Sequence, residues 1–389
     1  MKILLLGEYS GVHYELSRAL KKKGHNVTLV SNGDGYKNYP RDIDINPKSP
    51  STKVGKVIAI ASDFLGVKGV ISCLKYRKII LNLKNYDVVQ LINPIFLQSM
   101  GSLVNMYFLR KISKSNGDIY LCALGDDYFW VKDNLSKKYK YSALNKLSLS
   151  NFYHYIYSLR YVFGMFFKLQ HKYTVHLAKG IIPGLEDYRM VYCGKEIDKN
   201  IQMIRIPLDE AVIRNANEKL KILENKVNDR NFDEDSVSIF HGWQKGKDLR
   251  KGNDILDSVI KRLSSTNKVS YKVVSGVEYS EYIKLFEECD LFLDQVYSYD
   301  RGVNAIIGMA AGKVVVSGYE SEIVGGDNIT SIGVNAVPDE KKMLADIGRL
   351  ISDSNKIRSI KINALRYVIN HHDPNIIADQ YLKFWNNNK

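Results

Sequence analysis

Short apolar strands alternate with helical segments along this chain, and this alternation is the feature that most restricts its fold. The chain opens with the strand Ile3–Leu6, the loop Gly7–Gly11, a helix that ends near Gly24, and a second strand, Val27–Val30. A strand, a helix and another strand in this order predict a parallel pair joined by a crossover helix. Further apolar runs continue the pattern at Val88–Ile92, Ile119–Leu124, Gly180–Pro183 and Met203–Pro207.

The same alternation begins again near residue 236, after a charged, asparagine-rich stretch. Because the 389 residues exceed what one hydrophobic core usually supports, two domains are expected. We predict a first domain over residues 1–208, a linker over 209–235 and a second domain over 236–370. A helix over residues 371–389 is a candidate to pack back on the first domain. The predicted fold class is α/β, with two doubly wound Rossmann-like domains that face a cleft.

The sequence has neither a signal peptide nor a membrane-spanning segment that we can identify. Its first apolar run is too short for a signal peptide, and no run approaches the roughly 20 apolar residues of a spanning helix. The four cysteines lack CxxC or metal-ligand spacing: Cys73, Cys122, Cys193 and Cys289. We therefore expect a cytoplasmic protein with reduced thiols.

Much of the positive charge is concentrated in one segment. Lys and Arg number 56 against 42 Asp and Glu, a formal charge of +14, and residues 132–179 hold nine cations and one acid. Aromatic residues are interleaved with these cations: Tyr139, Tyr141, Phe152, Tyr153, Tyr155, Tyr157, Tyr161, Phe163, Phe166 and Phe167. Such a basic aromatic segment suits an anionic bilayer, so we expect a peripheral position on the inner face of the cell membrane. A domain core or an oligomer contact is an alternative of nearly equal weight.

The second half carries a series of motifs with continuous spacing: Asp290–Leu293, Tyr299, Gly302, Asn304 and Met309–Gly312. This series resembles the donor-site region of the retaining family-four glycosyltransferases of bacterial surface polysaccharide synthesis, which have the two-domain GT-B fold. Further segments resemble the same family's strand-end glycine, its Lys-Gly motif and two first-domain elements: Phe240–Gly242, Arg250–Gly252, Asp87–Val89 and Leu124–Asp127.

The chain also departs from the family pattern. Tyr299 and Ile307 stand in place of the two donor-loop glutamates, and Gln90 and Leu124 stand in place of two histidines. The arginine that follows the strand-end glycine is missing, and Trp243–Lys245 occupies its position. The retained Lys-Gly motif of the resemblance implies that phosphate binding is kept, and the departures imply that the sugar and the ribose are recognised differently.

Cations just before a helix can bind a diphosphate, because their charge and the helix N-terminal N–H groups converge there. The candidate donor-binding residues are Gly242, Lys245, Arg250, Lys251, Tyr299, Asp300, Gly302 and Asn304. Lys251 is also predicted to be catalytic, by stabilising charge on the leaving phosphate. Glu320 and Glu322 follow a strand and are candidates for the donor ribose. In the alternative interpretation, the charged residues are only a solvent-exposed run of charges, and the others are ordinary loop and helix-capping residues.

Three residues of the first half are candidates for the acceptor side: Gly11, His13 and Asp126. Asp127 is predicted to be catalytic, by orienting or deprotonating the acceptor hydroxyl. Each has an ordinary alternative, since the glycine suits a tight turn, the histidine a solvated helix and the two carboxylates a helix cap. No His, Asp or Glu cluster has metal-ligand spacing, so no metal site is expected.

These features favour transfer of a sugar from a UDP or GDP sugar to a glycan or lipid-linked acceptor in cell-surface polysaccharide synthesis. The resemblance implies retention of the anomeric configuration without a metal. The nucleotide sugar is then a substrate, and no cofactor is expected. One alternative is a nucleotide-sugar epimerase or hydrolase of similar fold, and another is a non-catalytic, glycan-binding accessory subunit. We expect no nucleic-acid partner, and the sequence specifies neither the oligomeric state nor the donor, acceptor and linkage.

Overall fold

A computed structural model of the chain describes residues 1–47, 50–225, 236–243, 248–265, 269–320 and 331–388. These residues form two compact units. The first unit comprises Met1–Ser136, Tyr155–Pro207 and Pro374–Lys389. The second unit comprises Lys137–His154 and Leu208–Asp373.

The strands of the first unit are β1 (Lys2–Leu6), β2 (Asn26–Ser31), β3 (Ile43–Asp44), β4 (Val88–Leu91), β5 (Asp118–Ala123), β6 (Ala178–Pro183) and β7 (Asn200–Ile201). Its helices up to residue 207 are α1 (Val12–Lys22), α2 (Lys53–Phe64), α3 (Val70–Leu81), α4 (Ser102–Ile112), α5 (Tyr128–Leu135), α6 (Ile156–Phe163), α7 (Phe167–Leu177) and α8 (Glu186–Cys193). The strands pair in parallel in the order β3-β2-β1-β4-β5-β6-β7, a doubly wound arrangement.

The strands of the second unit are β8 (Val237–Gly242), β9 (Val269–Val274), β10 (Leu291–Leu293), β11 (Val314–Ser317) and β12 (Val334–Asn335). Its helices are α9 (Glu210–Asn225), α10 (Asp248–Lys251), α11 (Asn253–Ser264), α12 (Tyr279–Glu287), α13 (Val303–Ala310), α14 (Glu340–Ile351) and α15 (Ser354–His372). The strands pair in parallel in the order β12-β11-β10-β8-β9, so this sheet is doubly wound as well. The predicted α/β class with two parallel sheets is confirmed.

Continuous apolar runs explain why these strands form central parallel sheets. Strands β4 and β11 are buried at every residue, and β1 is buried from Ile3 to Leu6. A strand that is covered by helices on both faces requires apolar side chains at successive positions, whereas a half-exposed strand alternates. The run Met203–Pro207 was expected to be a further strand, but it has no regular secondary structure, and β7 lies just before it.

The last helix, α16 (Pro374–Asn387), packs in the core of the first unit. Its buried residues contact the sheet core around Ile3, Leu5 and Tyr120: Ile377, Ala378, Tyr381, Phe384 and Trp385. The hydroxyl of Tyr120 donates to the carbonyl of Trp385 at 3.0 Å. The C-terminal segment thus supplies one layer of the unit that begins with β1.

Two segments differ from the predicted domain boundaries. The sequence predicts a linker over residues 209–235, yet α9 occupies residues 210–225 and buries Ile213 and Ala216 in the core of the second unit. Its apolar residues recur at helical spacing and pack against that core, which explains why the segment forms a helix. Residues 226–235 lie outside the described part. Residues 137–154 belong to the second unit, although the sequence predicts them within the first domain.

Candidate functional site

The carboxyl ends of β8 and β10 mark the switch point of the second sheet. The chain leaves β8 toward β9 on one side and continues to β10 on the other side, so a crevice forms between the two strand ends. Gly242 ends β8, and Asp294 follows β10. Ligands of doubly wound proteins bind at such switch points. This edge is therefore the candidate site of the second unit.

A largely buried ion pair lies at this edge. Nζ of Lys251 is 2.8 Å from Oδ1 of Asp294, and Oγ of Ser317 donates to Oδ2 of the same carboxylate at 3.1 Å. The N–H of Val296 donates to the carbonyl of Lys251 at 2.7 Å, which holds the lysine backbone against the loop after β10. The Asp294 carboxylate is buried, but 14% of the Lys251 side chain is exposed. Lys251 is thus a fixed cation that retains surface for a ligand.

The N-terminus of α11 follows this cation directly. Gly252 is the N-cap residue of the helix, with φ 70, and as a glycine it has no side chain that could cap the helix. A Cβ at Gly252 would lie 3.0 Å from Cβ of Val296, so glycine serves both the left-handed backbone and the close approach. Helix N–H groups and the helix dipole attract anions at such an end. Arg250, the residue before Lys251, adds a second positive charge.

Two buried side chains at the same edge have polar atoms without hydrogen-bond partners among the described residues. Both amide atoms of Asn253, the first residue of α11, are in this state. Nε2 of His241 also lacks a hydrogen-bond partner among the described residues, whereas Nδ1 of the same ring lies 2.9 Å from the Tyr271 hydroxyl. Burial lowers the pKa of His241 to about 4, so the ring is neutral at pH 7. Buried polar atoms are nearly always paired, so these atoms suit hydrogen bonds with a ligand or water.

Tyr299 lies in the loop between β10 and α13 and is buried. Its hydroxyl oxygen accepts a hydrogen bond from the backbone N–H of Tyr141 at 3.0 Å. Gly302 precedes α13 with extended backbone, and Asn304 in the first turn of that helix is exposed. Tyr299 therefore has a protein contact at its hydroxyl, whereas Asn304 is exposed, and the predicted contacts of both residues with the donor sugar stay predictions.

Asp300 is buried and forms an ion pair with the next residue, Arg301, at 2.9 Å. Nη2 of Arg301 also donates to the Tyr367 hydroxyl at 3.1 Å, and its guanidinium lies over the rings of Tyr319 and Tyr367 at 5.1 and 4.7 Å. Nη1 of Arg301 has no partner among the described residues. Asp300 thus fixes an internal arginine, and its predicted contact with the donor stays a prediction.

In the first unit, the equivalent switch point lies between β1 and β4. Nδ1 of His13 is 2.8 Å from the carbonyl of Gly7, and its Nε2 is buried without a partner in the described part. The N–H of Tyr14 donates to Oε2 of Glu8 at 2.7 Å, and Oε1 is buried and unpaired there as well. Burial raises the pKa of Glu8 to about 8 and lowers that of His13 to about 4, so both are neutral near pH 7.

His13 is therefore a buried residue rather than a solvated one. Gly11 precedes α1 with φ 88, and a Cβ there would lie 3.0 Å from the ring of Tyr39. The backbone angle and this approach account for the glycine. The predicted acceptor contacts of Gly11 and His13 stay predictions.

Asp127 caps α5. Its Oδ1 accepts from the N–H of Trp130 at 2.8 Å, and its Oδ2 accepts from the Tyr192 hydroxyl at 2.6 Å. Burial raises the pKa of Asp127 to about 6. Oδ2 of Asp126 accepts from the hydroxyl of Ser158. Both carboxylates thus hold the first unit together, which is the capping alternative for Asp127, and their predicted roles at an acceptor remain untested.

The structure brings some of the predicted donor residues together and leaves others undescribed. Lys251, Arg250 and Gly242 meet at one edge of the second sheet with the loop that carries Tyr299. Lys245 and Glu322 lie outside the described residues. The candidate residues predicted from the sequence did not include two residues of this edge, His241 and Asn253. Each adjoins a motif glycine or a strand end, and that position is the signal that could have identified them.

Within the described ranges, no group of three or more His, Cys, Asp or Glu side chains could hold a metal ion. The helices of the same ranges include none with the length and apolar character to cross a membrane.

The whole chain is similar to solved structures of GT-B glycosyltransferases. HepE of Anabaena in complex with UDP and glucose is 14% identical, with 100% of both chains covered and a TM-score of 0.58. Sucrose-phosphate synthase from Thermosynechococcus elongatus is 12% identical, with 100% of this chain and 99% of that chain covered and a TM-score of 0.58. WaaG, a glycosyltransferase involved in lipopolysaccharide biosynthesis, is 13% identical over 99% of both chains, with a TM-score of 0.53.

No family model matches the sequence, and no curated protein matches it significantly. At identities of 12–14%, the structural similarities establish the fold. The predicted resemblance to GT-B proteins is confirmed at that level.

Proposed function

We propose that this protein is a glycosyltransferase that binds a UDP or GDP sugar at the switch point of its second unit. The observation that carries the proposal is the Lys251–Asp294 pair beside the N-terminus of α11, which has no side-chain cap at Gly252. The amide of Asn253 and Nε2 of His241 at the same edge, which have no partners among the described residues, offer neutral hydrogen-bonding groups. HepE, which has the same fold, binds UDP and glucose. A fixed cation, helix N–H groups and neutral polar groups together match a nucleoside diphosphate.

In the proposed reaction, the bond between the sugar C1 and the diphosphate oxygen breaks, and its electron pair passes to the diphosphate. Lys251 and Arg250 stabilise the charge that develops there, as preorganised cations do at leaving phosphates. Asp294 holds Lys251 in place through the 2.8 Å contact. The acceptor hydroxyl oxygen forms the new bond to C1 on the same face, with retention of configuration, and its proton passes to the departing diphosphate oxygen. These cations also support transfer without a metal, and the proposed acceptor is a glycan or a lipid-linked glycan.

A panel of UDP and GDP sugars tests this function. We expect thermal stabilisation by at least one nucleotide sugar, followed by transfer to an acceptor with release of the nucleoside diphosphate and full activity in EDTA. Product analysis without an acceptor separates the alternatives, since an epimerase converts the donor alone. Nucleotide-sugar binding without transfer or hydrolysis would instead indicate an accessory subunit, and absence of all nucleotide binding would refute the proposal.

We also propose that the first unit attaches to an anionic membrane surface, where a lipid-linked acceptor would lie. Of the basic aromatic segment, Tyr157, Phe163 and Phe166 of the first unit are exposed, whereas Tyr155, Tyr161 and Phe167 are buried. A larger apolar surface lies on α2, α3 and the residues between them: Val54, Val57, Ile58, Leu65, Val67, Val70, Ile71, Leu74 and Ile79 are all more than 40% exposed. The N–H of Met165 donates to the carbonyl of Phe64 at 2.6 Å, so the two surfaces adjoin.

The charges on α2 and α3 favour a bilayer over a neutral partner. Residues 51–81 contain six cations and one acid, Asp63, and that acid is buried and paired with Arg160. Each cation near an anionic surface contributes about 1 kcal/mol, so a few of them suffice for reversible binding. Exposed apolar side chains flanked by Lys and Arg are the composition of an interfacial helix.

Vesicle co-sedimentation tests the attachment. We expect binding to phosphatidylglycerol vesicles at low salt, little binding to neutral phosphatidylcholine, and a loss of about 10-fold or more in the double variant Ile71→Asp and Leu74→Asp, which places two charges in the interface. Ile222→Asp, at another exposed isoleucine, is the matched control and should bind normally. Equal binding to both lipids, or no difference between the double variant and the control, would contradict a membrane role for this surface.

A further inference from the structure

Residues 137–154, here called the strap, follow α5 and precede α6 of the first unit, yet they pack in the second unit. Tyr141 and Leu144 of the strap are buried. Nδ2 of Asn151 donates to the carbonyl of Lys146 at 2.7 Å and fixes the chain path there. The strap is therefore an ordered part of the second unit that comes from a distant part of the sequence.

The strap contacts two loops at the carboxyl edge of the second sheet. Besides the 3.0 Å bond from the N–H of Tyr141 to the Tyr299 hydroxyl, the rings of Tyr141 and Tyr139 lie 5.4 and 6.4 Å from that of Tyr299. The Tyr141 hydroxyl also faces the Glu320 carboxylate, which follows β11. Nδ2 of Asn335 donates to Oε1 of Glu320 at 2.8 Å and holds this carboxylate in place. The strap thus ties together the loops after β10 and β11.

A third contact reaches the phosphate side of the site. Lys146 pairs with Asp254, which lies in the first turn of α11, three residues after Lys251. The two side chains are 28% and 55% exposed. An exposed ion pair of this kind adds little to the stability of a protein, whereas a charge-assisted hydrogen bond from a cation to a phosphate is among the stronger hydrogen bonds. Lys146 therefore loses little when it exchanges Asp254 for a phosphate.

We propose that the strap completes the donor site, and that Lys146 leaves Asp254 to bind a phosphate oxygen of the nucleoside diphosphate at the N-terminus of α11. The inference rests on the proposed function. The buried amide of Asn253, which has no hydrogen-bond partner in the described part of the chain, is the independent sign of a ligand at this helix end. Tyr141 meanwhile positions Tyr299 and Glu320 along the remainder of the donor.

Calorimetry with UDP and with GDP, on the full chain, tests the exchange. We expect Lys146→Ala to weaken binding of the recognised nucleotide by about 10-fold, the loss of one charge-assisted hydrogen bond. Asp254→Asn should tighten binding by about 2-fold or more, because the competing carboxylate is gone. The double variant should bind no better than Lys146→Ala alone. Lys219→Ala and Glu287→Gln are matched controls, because this pair in the same unit is similarly exposed at 35% and 50%.

The direction of each variant's effect on nucleotide affinity distinguishes the proposed exchange from an ion pair that only anchors the strap. If the ion pair only anchors the strap, Asp254→Asn weakens binding as much as Lys146→Ala does, and the exchange is wrong. If Lys146→Ala equals the controls while substitution of Lys251 weakens binding, the strap is no part of the site but the proposed function stands. If the unmodified protein binds neither nucleotide, the proposed function fails and the strap proposal fails with it.

Discussion

Lys251→Ala is expected to weaken nucleotide binding by about 10-fold to 100-fold, which corresponds to the roughly 1.5–3 kcal/mol of a hydrogen bond to a charged group. The same change is expected to lower the free energy of unfolding by about 3 kcal/mol, because the buried Asp294 carboxylate then lacks its cation. Calorimetry and chemical denaturation measure the two effects. A loss of binding in this variant alone would therefore have two explanations.

The double variant Lys251→Ala and Asp294→Asn separates them. An asparagine at 294 carries no charge and can keep a hydrogen bond with Ser317, so stability should return to within about 1 kcal/mol of the unmodified protein. Nucleotide binding should remain as weak as in Lys251→Ala, because the cation is still missing. Recovery of binding in the double variant would show that Lys251 acts through stability alone and would remove it from the phosphate site.

The sequence predicted the strands well because the physical signal is local. A strand buried on both faces needs an uninterrupted apolar run, and runs such as Val88–Ile92 and Ile119–Leu124 match β4 and β5 to within one residue. The loop positions at the strand ends follow from these runs, which is how Gly242 was placed at the edge of the sheet. Lys251 was placed from the motif that opens a helix, and α11 begins two residues later.

The strap could not be predicted in the same way. Tyr141 and Tyr299 are 158 residues apart in the sequence, and residues 137–154 have no regular apolar period to indicate their partner.

Asp127 illustrates a related difficulty. A carboxylate after a strand suits a catalytic role and a helix cap equally, and only the contacts with Trp130 and Tyr192 show the cap.

Helices α2 and α3 were also not predicted from the sequence. Lysines and arginines occur among the apolar residues of 51–81, and the outward side chains of both helices are largely apolar. Amphipathic spacing reveals a helix only when one face is polar, so such a segment gives a weak helical signal. The exposure of these side chains became visible only in the folded unit, and it moves the proposed membrane surface from the basic aromatic segment toward α2 and α3.

Trp385→Ala is expected to destabilise the first unit by about 4 kcal/mol, since removal of a fully buried aromatic side chain costs about 3–5 kcal/mol. Trp385 has no exposed surface, and its Nε1 donates to Oε1 of Gln90 on β4 at 3.0 Å. The variant therefore leaves both a cavity and an unpaired amide oxygen in the sheet core. Lys383→Ala on the exposed face of the same helix is the matched control and should change stability by less than about 0.5 kcal/mol.

Hydrogen exchange locates the effect of Trp385→Ala. Helix α16 covers the core that includes β1, β4 and β5, so their amides should exchange faster, whereas amides of β8 and β10 should keep their protection. Trp385→Phe keeps most of the ring volume but cannot donate to Gln90, and it should destabilise by about 1–2 kcal/mol. Equal stability of Trp385→Ala and the Lys383→Ala control would mean that the C-terminal helix adds nothing to the first unit. That result would contradict the assignment of residues 374–389 to its core.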